Sequence, residues 1–214
     1  MEGMVESSSQ VFTSFDKCSM YQSGEVIYNA NSKTRAAYLV KRGMVKLYSI
    51  GAKGTKHIVR MVREGEIVGY YSQFTNQPEV TGCECMVNSV LCEMSDSNLQ
   101  DAFRTDSNLA FTMLQKACSE MKEACDSIID MSQKTVRGRA ANILVKQMEL
   151  FEVNEGDKFP LRISRTDMAN WIGTSRESVS RSLNDFMREK LIDMDKETIK
   201  INNVKGLKRV SIIS

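Results

Sequence analysis

The segment from Ile163 to Met194 constrains the fold more than any other part of this chain. Ser164 is placed to cap a first short helix, and Gly173 to end it, because glycine adopts a positive φ at little cost. Thr174 then begins a second helix, and Glu177 three residues on completes a T-x-x-E capping box. The segment therefore predicts two short helices joined by a tight glycine turn.

Each predicted helix has an apolar side, and the second helix also has a distinct polar side. The apolar residues are Met168, Trp171 and Ile172 on the first helix and Val179, Leu183 and Phe186 on the second. The polar residues share the other side of the second helix and are Arg176, Glu177, Ser180 and Arg181. Arginine can pair with guanine O6 and N7, and glutamate can accept from cytosine N4, so this side suits base reading in the major groove. The pattern predicts a helix-turn-helix that binds double-stranded DNA.

An ordinary pair of surface helices with a solvated, charged face is the alternative interpretation. A β-hairpin predicted directly after the segment argues against it, with strands Leu191–Met194 and Thr198–Ile201 around a polar turn, as in a wing. Basic and hydroxyl side chains beside a base-reading helix set its register by contacting phosphates. We expect such phosphate contacts from Arg165, Thr174, Ser175 and Lys196, and also near Arg137 and Arg139.

The chain up to about Asp101 has the pattern of short strands separated by turns. Val45 and Leu47 alternate with Lys46 and Tyr48, which is the period of a half-buried strand. Glycines separate these strands, at Gly24, Gly43, Gly51, Gly54, Gly65, Gly69 and Gly82. Regular short strands with glycine turns predict a double-sheet jelly roll.

From Asp106 to about Lys134 there is neither glycine nor proline, and the apolar period becomes helical. A narrow seam recurs every three or four residues, at Phe111, Leu114, Cys118, Met121, Cys125 and Ile128. A helix lying on its own domain normally has a broader apolar stripe, whereas a narrow seam favours a partner helix. We therefore expect a homodimer. The predicted α+β chain comprises a sensor domain over residues 1–104, a dimerisation helix over 105–134 and a winged helix-turn-helix domain over 135–214.

Composition and charge restrict the class of protein. Among 214 residues, 42% are hydrophobic and 26% are charged, which is typical of a globular chain. No apolar run has the length of a membrane span, and the first ten residues lack the pattern of a signal peptide, so we expect a cytoplasmic protein without a membrane partner. Residues 135–214 carry 15 Lys/Arg and 11 Asp/Glu, a net charge of +4, while the remainder has −2. This asymmetry fits a C-terminal domain placed against phosphates.

The cysteines and the single histidine indicate neither a zinc site nor an enzyme. The six cysteines contain no C-x-x-C pair, and in a cytoplasmic chain we expect them to be reduced thiols. His57 has no neighbouring nucleophile or carboxylate motif, and the sequence shows no phosphate loop or metal signature. We therefore expect no metal and no catalytic activity.

The order jelly roll, long helix and winged helix-turn-helix resembles the CRP/FNR family of bacterial transcription regulators over nearly the whole chain. The motifs that carry this resemblance are Tyr38–Val45, Gly65–Gly69 and Ser175–Arg181. The resemblance implies that Arg176, Glu177 and Arg181 read bases, with Ser180 as a further contact in members similar to FNR. It also implies a small-molecule effector at the roll, with RNA polymerase as a further candidate partner.

The effector pocket departs from the family pattern. Cyclic-AMP-binding members carry a glutamate for the ribose and an arginine for the phosphate, where this chain has Tyr70 and Val80. A buried cyclic phosphate without a cation is poorly compensated, so we do not expect cyclic AMP to bind in the usual mode. The pocket positions that the resemblance implies are Gly69, Tyr70, Val80 and Thr81. A rearranged nucleotide pocket that uses Arg60 or Arg63 is the competing hypothesis.

The identity of the effector or cofactor stays open at this point. An iron–sulfur cluster of the FNR type is not expected, because Cys18 stands alone near the N-terminus and a cluster needs four thiolates. Haem bound through His57 is one alternative. Another is redox control through Cys118 and Cys125, which share one heptad position and would each meet their twin in a parallel dimer.

Overall fold

The computed structural model describes residues 16–52, 54–161, 163–195 and 198–213. The chain has an α+β fold and forms two compact units, one reaching to Lys122 and the other starting at Glu123. The boundary between the two units falls inside the long helix. None of the helices in the described ranges is long and apolar enough to cross a membrane.

The first unit is built on two four-stranded antiparallel sheets, as a jelly roll requires. The strands are β1 (Lys17–Tyr21), β2 (Val26–Tyr28), β3 (Ala36–Arg42), β4 (Met44–Ile50), β5 (Lys56–Arg63), β6 (Ile67–Val68), β7 (Gly82–Cys85) and β8 (Ser89–Ser95). One sheet has the order β1-β8-β3-β6 and the other the order β2-β7-β4-β5. Alternate residues of both sheets point inward, and their core includes Val40, Val45, Val62 and Leu91. The predicted jelly roll is confirmed.

Three helices accompany the roll: α1 (Tyr71–Thr75), α2 (Asp96–Thr105) and the start of α3 (Ser107–Gln133). A second apolar cluster joins β3, β6 and β8 to α2 and α3, and contains Ala37, Ile67, Met94, Leu99, Leu109 and Met113. The expectation that strands continue to about Asp101 is wrong, because Asp96 already begins α2 and Leu99 is buried on its inner side. The predicted long helix is confirmed to within a residue at each end.

The second unit contains helices α4 (Val136–Leu150), α5 (Arg165–Ile172), α6 (Arg176–Arg188) and α7 (Val204–Ile213). Its sheet contains β9 (Lys158–Pro160), β10 (Ile192–Met194) and β11 (Thr198–Ile201), in the order β10-β11-β9. The predicted wing hairpin is confirmed. The third strand and α7 are not predicted, since β9 is only three residues long and α7 owes its place to the burial of Leu207.

Two of the six cysteines form a disulfide, between Cys18 and Cys92. The expectation that all are reduced thiols is therefore wrong for this pair. The two residues are 74 positions apart, but the antiparallel register of β1 and β8 places them directly opposite each other. The spacing of the cysteines along the sequence does not predict this pairing. Cys83 and Cys85 are buried free thiols, and Cys118 and Cys125 are exposed ones.

Candidate nucleic-acid interface and effector site

The two helices of the predicted helix-turn-helix are α5 and α6, and a serine side chain caps the N-terminal end of each. The Ser164 hydroxyl accepts from the Asp167 N–H at 2.9 Å, and Gly173 ends α5 with a φ of 67°. The expectation that Thr174 caps the second helix is wrong, because the Ser175 hydroxyl is the group that accepts from the Ser178 N–H, at 3.2 Å. The Thr174 N–H donates to the Ala169 carbonyl at 3.0 Å. The chain enters α6 one residue later, with Ser175 as the cap.

Helix α6 has one fully buried side and one polar side, as predicted. Val179, Leu183 and Phe186 have no exposed surface. On the outer side Arg176, Glu177 and Arg181 are exposed and Ser180 is half-buried. Residues at these spacings lie on adjacent turns of one helix. The predicted base-reading residues therefore form one polar surface, which we call the reading face (Arg176, Glu177, Ser180 and Arg181).

The charges of the reading face are available for an external partner. Across the part of the chain that the structure describes, no ion pair engages Arg165, Arg176 or Arg181. The pKa of the Glu177 carboxyl is lowered, first by its own backbone N–H and then by the Ser175 hydroxyl. Glu177 is therefore an anionic acceptor at neutral pH, while the two arginines are donors only.

Two arginines that we expected near phosphates make internal contacts. Arg139 donates from Nε to the Ile172 carbonyl at 2.9 Å and from Nη1 to the Lys134 carbonyl at 2.6 Å. It thereby supplies hydrogen bonds to the Lys134 carbonyl just after α3 and to the Ile172 carbonyl at the end of α5. Carbonyls at these places have no hydrogen-bond donor within the helix. Arg137 pairs with Glu189 at 2.6 Å and lies over the Phe186 ring. Both guanidinium groups therefore bond to other parts of the same chain. The residue type and its position in the sequence did not predict these contacts.

The remaining predicted phosphate contacts lie around the ends of α5 and α6. Arg165 and Ser175 are exposed, and Thr174 is half-buried in the turn. Lys196 lies outside the described residues. The wing turn beside it is closed by Asp195, whose carboxylate accepts from the Thr198 N–H at 2.7 Å.

The long helix α3 keeps its predicted seam exposed. The exposed fractions of Phe111, Leu114, Met121 and Ile128 are 61%, 60%, 65% and 68%. Cys118 and Cys125 on the same seam are also exposed. The first two turns of α3 instead face the roll through Leu109 and Met113, which are buried. The seam is therefore apolar surface that the helix does not use within its own chain.

The C-terminal end of α3 is bonded to the helix that follows it. Asn142 of α4 donates to the Asp130 carboxylate at 2.7 Å, and Lys134 pairs with the same side chain at 2.7 Å. Together with the contact of Arg139 to the Lys134 carbonyl, these bonds hold the last turn of α3 against α4.

None of the four predicted effector positions supplies a positively charged side chain. Gly69 is buried with a φ of 74°, a conformation that favours glycine, and a Cβ there would lie 3.2 Å from the Tyr28 ring, which would have to shift slightly. Val80 is 61% exposed and Thr81 is half-buried. The Tyr70 hydroxyl donates to Glu120 of α3. Burial, and then this bond, raises the pKa of Tyr70, so the phenol stays neutral.

A carboxylate that sequence reasoning missed lies beside these positions. Glu79 is buried, and its carboxylate accepts from the Ser72 N–H of α1 at 2.8 Å. Burial raises the pKa of Glu79, while the Ser72 contacts oppose that shift. The Ser72 hydroxyl is bonded to Thr34, whose hydroxyl donates to the Gly69 carbonyl at 3.0 Å. The Ser72 N–H at the predicted pocket is therefore already bonded to a carboxylate of the same chain.

A charge cluster, which we call the roll–helix cluster (Arg60, Glu66, Tyr70, Lys116 and Glu120), joins the roll to α3. Arg60 lies 3.0 Å from Glu120 and 3.4 Å from Glu66. Lys116 lies 2.9 Å from Glu66 and 3.3 Å from Glu120. Arg60, proposed above as a substitute phosphate ligand, is thus already paired with two carboxylates. Arg63 is exposed.

Comparison with known proteins finds a matching domain family for each of the two units. A model of the cyclic nucleotide-binding domain matches residues 19–106, and a model of the Crp-like helix-turn-helix domain matches residues 138–210. The fumarate and nitrate reduction regulatory protein of Yersinia pestis is 23% identical over 192 residues, which cover 89% of this chain and 76% of that protein.

Two solved structures have the same fold. FixK2 from Bradyrhizobium japonicum has a TM-score of 0.83 at 20% identity, covering 92% of this chain and 98% of that one. The c-di-GMP responsive regulator CLP of Xanthomonas campestris has a TM-score of 0.78 at 18% identity, with the same coverage. With the two domain models matched in this order around the long helix, the chain belongs to the CRP/FNR family of transcription regulators.

Proposed function

We propose that this protein is a homodimeric, sequence-specific transcription regulator in which two copies of α6 read a pseudo-palindromic operator. The observation that carries the proposal is the reading face, where Arg176, Glu177 and Arg181 are exposed together on a helix whose other side is fully buried. Donors and an acceptor at adjacent turns match the distinct patterns that base pairs present in the major groove. Arg165, Thr174, Ser175 and Lys196 supply phosphate contacts that set the register.

The exposed seam of α3 supports the homodimer. Four large apolar side chains that are each at least 60% exposed are costly for an isolated chain in water. Their spacing of three and four residues is the one that buries a seam against a second helix. A second copy of the chain supplies an identical seam, and a two-fold dimer places two reading helices for two half-sites.

The effector of this regulator is a small molecule other than cyclic AMP. A cyclic phosphate needs a cation, but Val80 stands where the family carries one, and Arg60 is paired with Glu66 and Glu120. Glu79 adds a carboxylate at the Ser72 amide, which repels an anion. The protein acts in the cytoplasm and has no catalytic activity, and RNA polymerase is a candidate partner on DNA.

Selection of binding sites from a random double-stranded DNA library with the purified protein tests the proposal. The expected product is an inverted repeat whose half-sites lie about one helical turn, or 10–11 base pairs, apart. A variant with both Arg176→Ala and Arg181→Ala should enrich no inverted repeat. The control is Arg188→Ala, which removes one positive charge from the last turn of α6, outside the reading face. Enrichment of no sequence, or of a lone half-site, by the unaltered protein would contradict the proposal.

A further inference from the structure

We infer that the Cys18–Cys92 disulfide is a redox-controlled clamp, which a dithiol reductant opens to release β1 and loosen the start of α2. The inference rests on the proposed function, because a cytoplasmic protein seldom keeps a disulfide for stability alone. In that compartment disulfides are mostly transient and serve redox sensing or catalysis. The contacts around Cys18 and Cys92 supply the remainder of the argument.

The two cysteine residues differ in exposure. Cys18 lies on the edge strand β1 and is exposed, whereas Cys92 lies in β8 and has no exposed surface. Thiol–disulfide exchange needs a thiolate to reach one sulfur of the bond, so attack falls on Cys18. Cys92 neighbours Met94 on the side of β8 that packs against α2 and α3. The bond therefore joins an exposed residue at the sheet edge to a buried residue in β8.

The reaction balances with a dithiol as reductant. One thiolate of the reductant attacks Cys18 Sγ, the bond between Cys18 and Cys92 breaks, and Cys92 leaves as a thiolate. The second thiolate of the reductant then attacks the mixed disulfide and releases Cys18. Two electrons pass from the dithiol, which becomes a disulfide, and its two protons end on Cys18 and Cys92.

The residue directly before the strand that this bond holds caps α2. Asp16, two residues before Cys18, accepts from the Ser95 N–H at 2.7 Å and from the Asn98 side-chain amide at 2.6 Å. The Asp16 N–H in turn donates to the Glu93 carbonyl at 2.9 Å. These bonds hold the N-terminal cap residue and the first turn of α2, while the Ser95 side chain makes no cap bond of its own. Release of β1 therefore removes the external cap of α2.

Helix α2 leads directly into α3, so the clamp has a route to the predicted dimer helix. Leu99 of α2 packs in the same cluster as Leu109 and Met113 of α3. Loss of the cap destabilises α2 at its first turn and weakens the packing that positions the start of α3. We therefore assign higher operator affinity to the oxidised protein than to the reduced protein.

The test compares the full chain after treatment with oxidised glutathione and after treatment with dithiothreitol. Alkylation under denaturing conditions should find the four free cysteines in the oxidised protein and all six in the reduced protein. On reduction, amide hydrogen exchange at Ser95 and along β1 should accelerate by at least about tenfold. Affinity for the selected operator should fall by about fivefold or more.

Two variants separate this clamp from the other thiols. Cys18→Ser keeps Cys83, Cys85, Cys118 and Cys125, and should show fast exchange at Ser95 in both treatments. Met20→Ser is the matched control, since Met20 lies on the same strand, is 88% exposed and forms no bridge. It should respond to reduction as the unaltered protein does. If Cys18→Ser does not fold, the unaltered protein and Met20→Ser still decide the matter.

Three results would overturn the inference: six free thiols after oxidation, unchanged exchange at Ser95 on reduction, or a redox response that persists in Cys18→Ser. If the proposed function is wrong, a different set of results is expected. In that case no operator is selected, while exchange at Ser95 still follows the state of Cys18 and Cys92. The exchange measurement thus tests the clamp without reference to DNA.

Discussion

At the scale of single residues, the reading face combines two kinds of hydrogen-bonding group. Arg176 and Arg181 offer only donors and Glu177 offers only acceptors, so in the proposed complex the arginines and the glutamate select different base edges. The free charge of each side chain costs the protein little, because all three are exposed. The side chains that we propose to carry specificity therefore contribute little to folding.

Replacement of Arg181 by alanine should weaken binding at one operator position by about 1–3 kcal/mol, because it removes a bidentate guanine contact. Binding to random DNA should change much less. Fluorescence anisotropy against operators with single base changes measures both quantities, with Arg188→Ala as the control. Equal losses on specific and random DNA would make Arg181 a phosphate contact instead.

Acid should destabilise the roll through Glu66. Burial alone would raise the pKa of this carboxyl, but Lys116 and Arg60 together lower it below its ordinary value. A depressed folded-state pKa means that the ionised group stabilises the protein above about pH 4.3, and that this stability is lost as the pH falls through the folded pKa. Urea unfolding at pH 7 and at acid pH should therefore show a smaller acid loss for Glu66→Gln, by up to about 1 kcal/mol.

The matched control for that measurement is Glu64→Gln, which removes an exposed carboxylate beside the same turn. It should lose as much stability in acid as the unaltered protein. If Glu66→Gln also loses as much, its pairing with Lys116 and Arg60 contributes nothing measurable.

The caps show which residue contacts could be predicted and which could not. Ser164 and Gly173 are placed correctly because their action is local, within three residues of chain. The second cap is misplaced by one residue, since the Ser175 hydroxyl makes the cap bond and Thr174 still belongs to the turn that ends α5. The roles of Arg139 and of Cys18 with Cys92 depend on segments 33 and 74 residues away, which no local pattern encodes.

At the scale of elements, the long helix α3 has two sides with different partners. Leu109 and Met113 face the roll, and the predicted seam faces away from it. Its extent was predictable because periodicity over 27 residues is a strong pattern. Helix α7 was not predictable in the same way, because its ten residues follow directly after β11 and obtain their stability from packing on α4.

Leu114→Asp together with Met121→Asp should produce monomers that no longer bind a two-half-site operator. Two charges buried in an apolar seam remove its association energy. Analytical ultracentrifugation measures the mass directly. The matched control is Thr112→Asp with Ser119→Asp, which adds the same charges at the same seven-residue spacing on an exposed side away from the seam. An intact dimer of the first variant would place the interface elsewhere.

At the scale of the whole molecule, the chain keeps the architecture of a cyclic nucleotide-binding regulator while its pocket carries different chemistry. The glycine turn at Gly69 is present. Around it, however, Glu79 accepts from the Ser72 N–H, and the charged side chains of the roll–helix cluster pair with one another. The fold and its order of domains were predictable from periodicity, turns and caps. The internal pairing at the pocket was not, since it joins β5, α1 and α3.

Millimolar cyclic AMP should neither raise the melting temperature nor change operator affinity. A ligand at about 100 times its dissociation constant stabilises a protein by roughly 2.7 kcal/mol, so differential scanning calorimetry detects even weak binding. Operator DNA serves as the positive control, because it should raise the melting temperature. A thermal shift with cyclic AMP that disappears in Arg60→Ala or Arg63→Ala would restore the rearranged-pocket hypothesis.

The bonds between Asp130 and Asn142, and between Arg139 and the Lys134 carbonyl, bear on how such regulators exchange sensors during evolution. They make the last turn of the long helix part of the DNA-binding unit, whose compact boundary falls at Glu123. A gene fusion that joins a foreign sensor near that point keeps every one of these bonds. A fusion made in the short connection after Gln133 replaces Asp130 and leaves Asn142 without its acceptor. Successful recombinants should therefore carry their crossover within the helix.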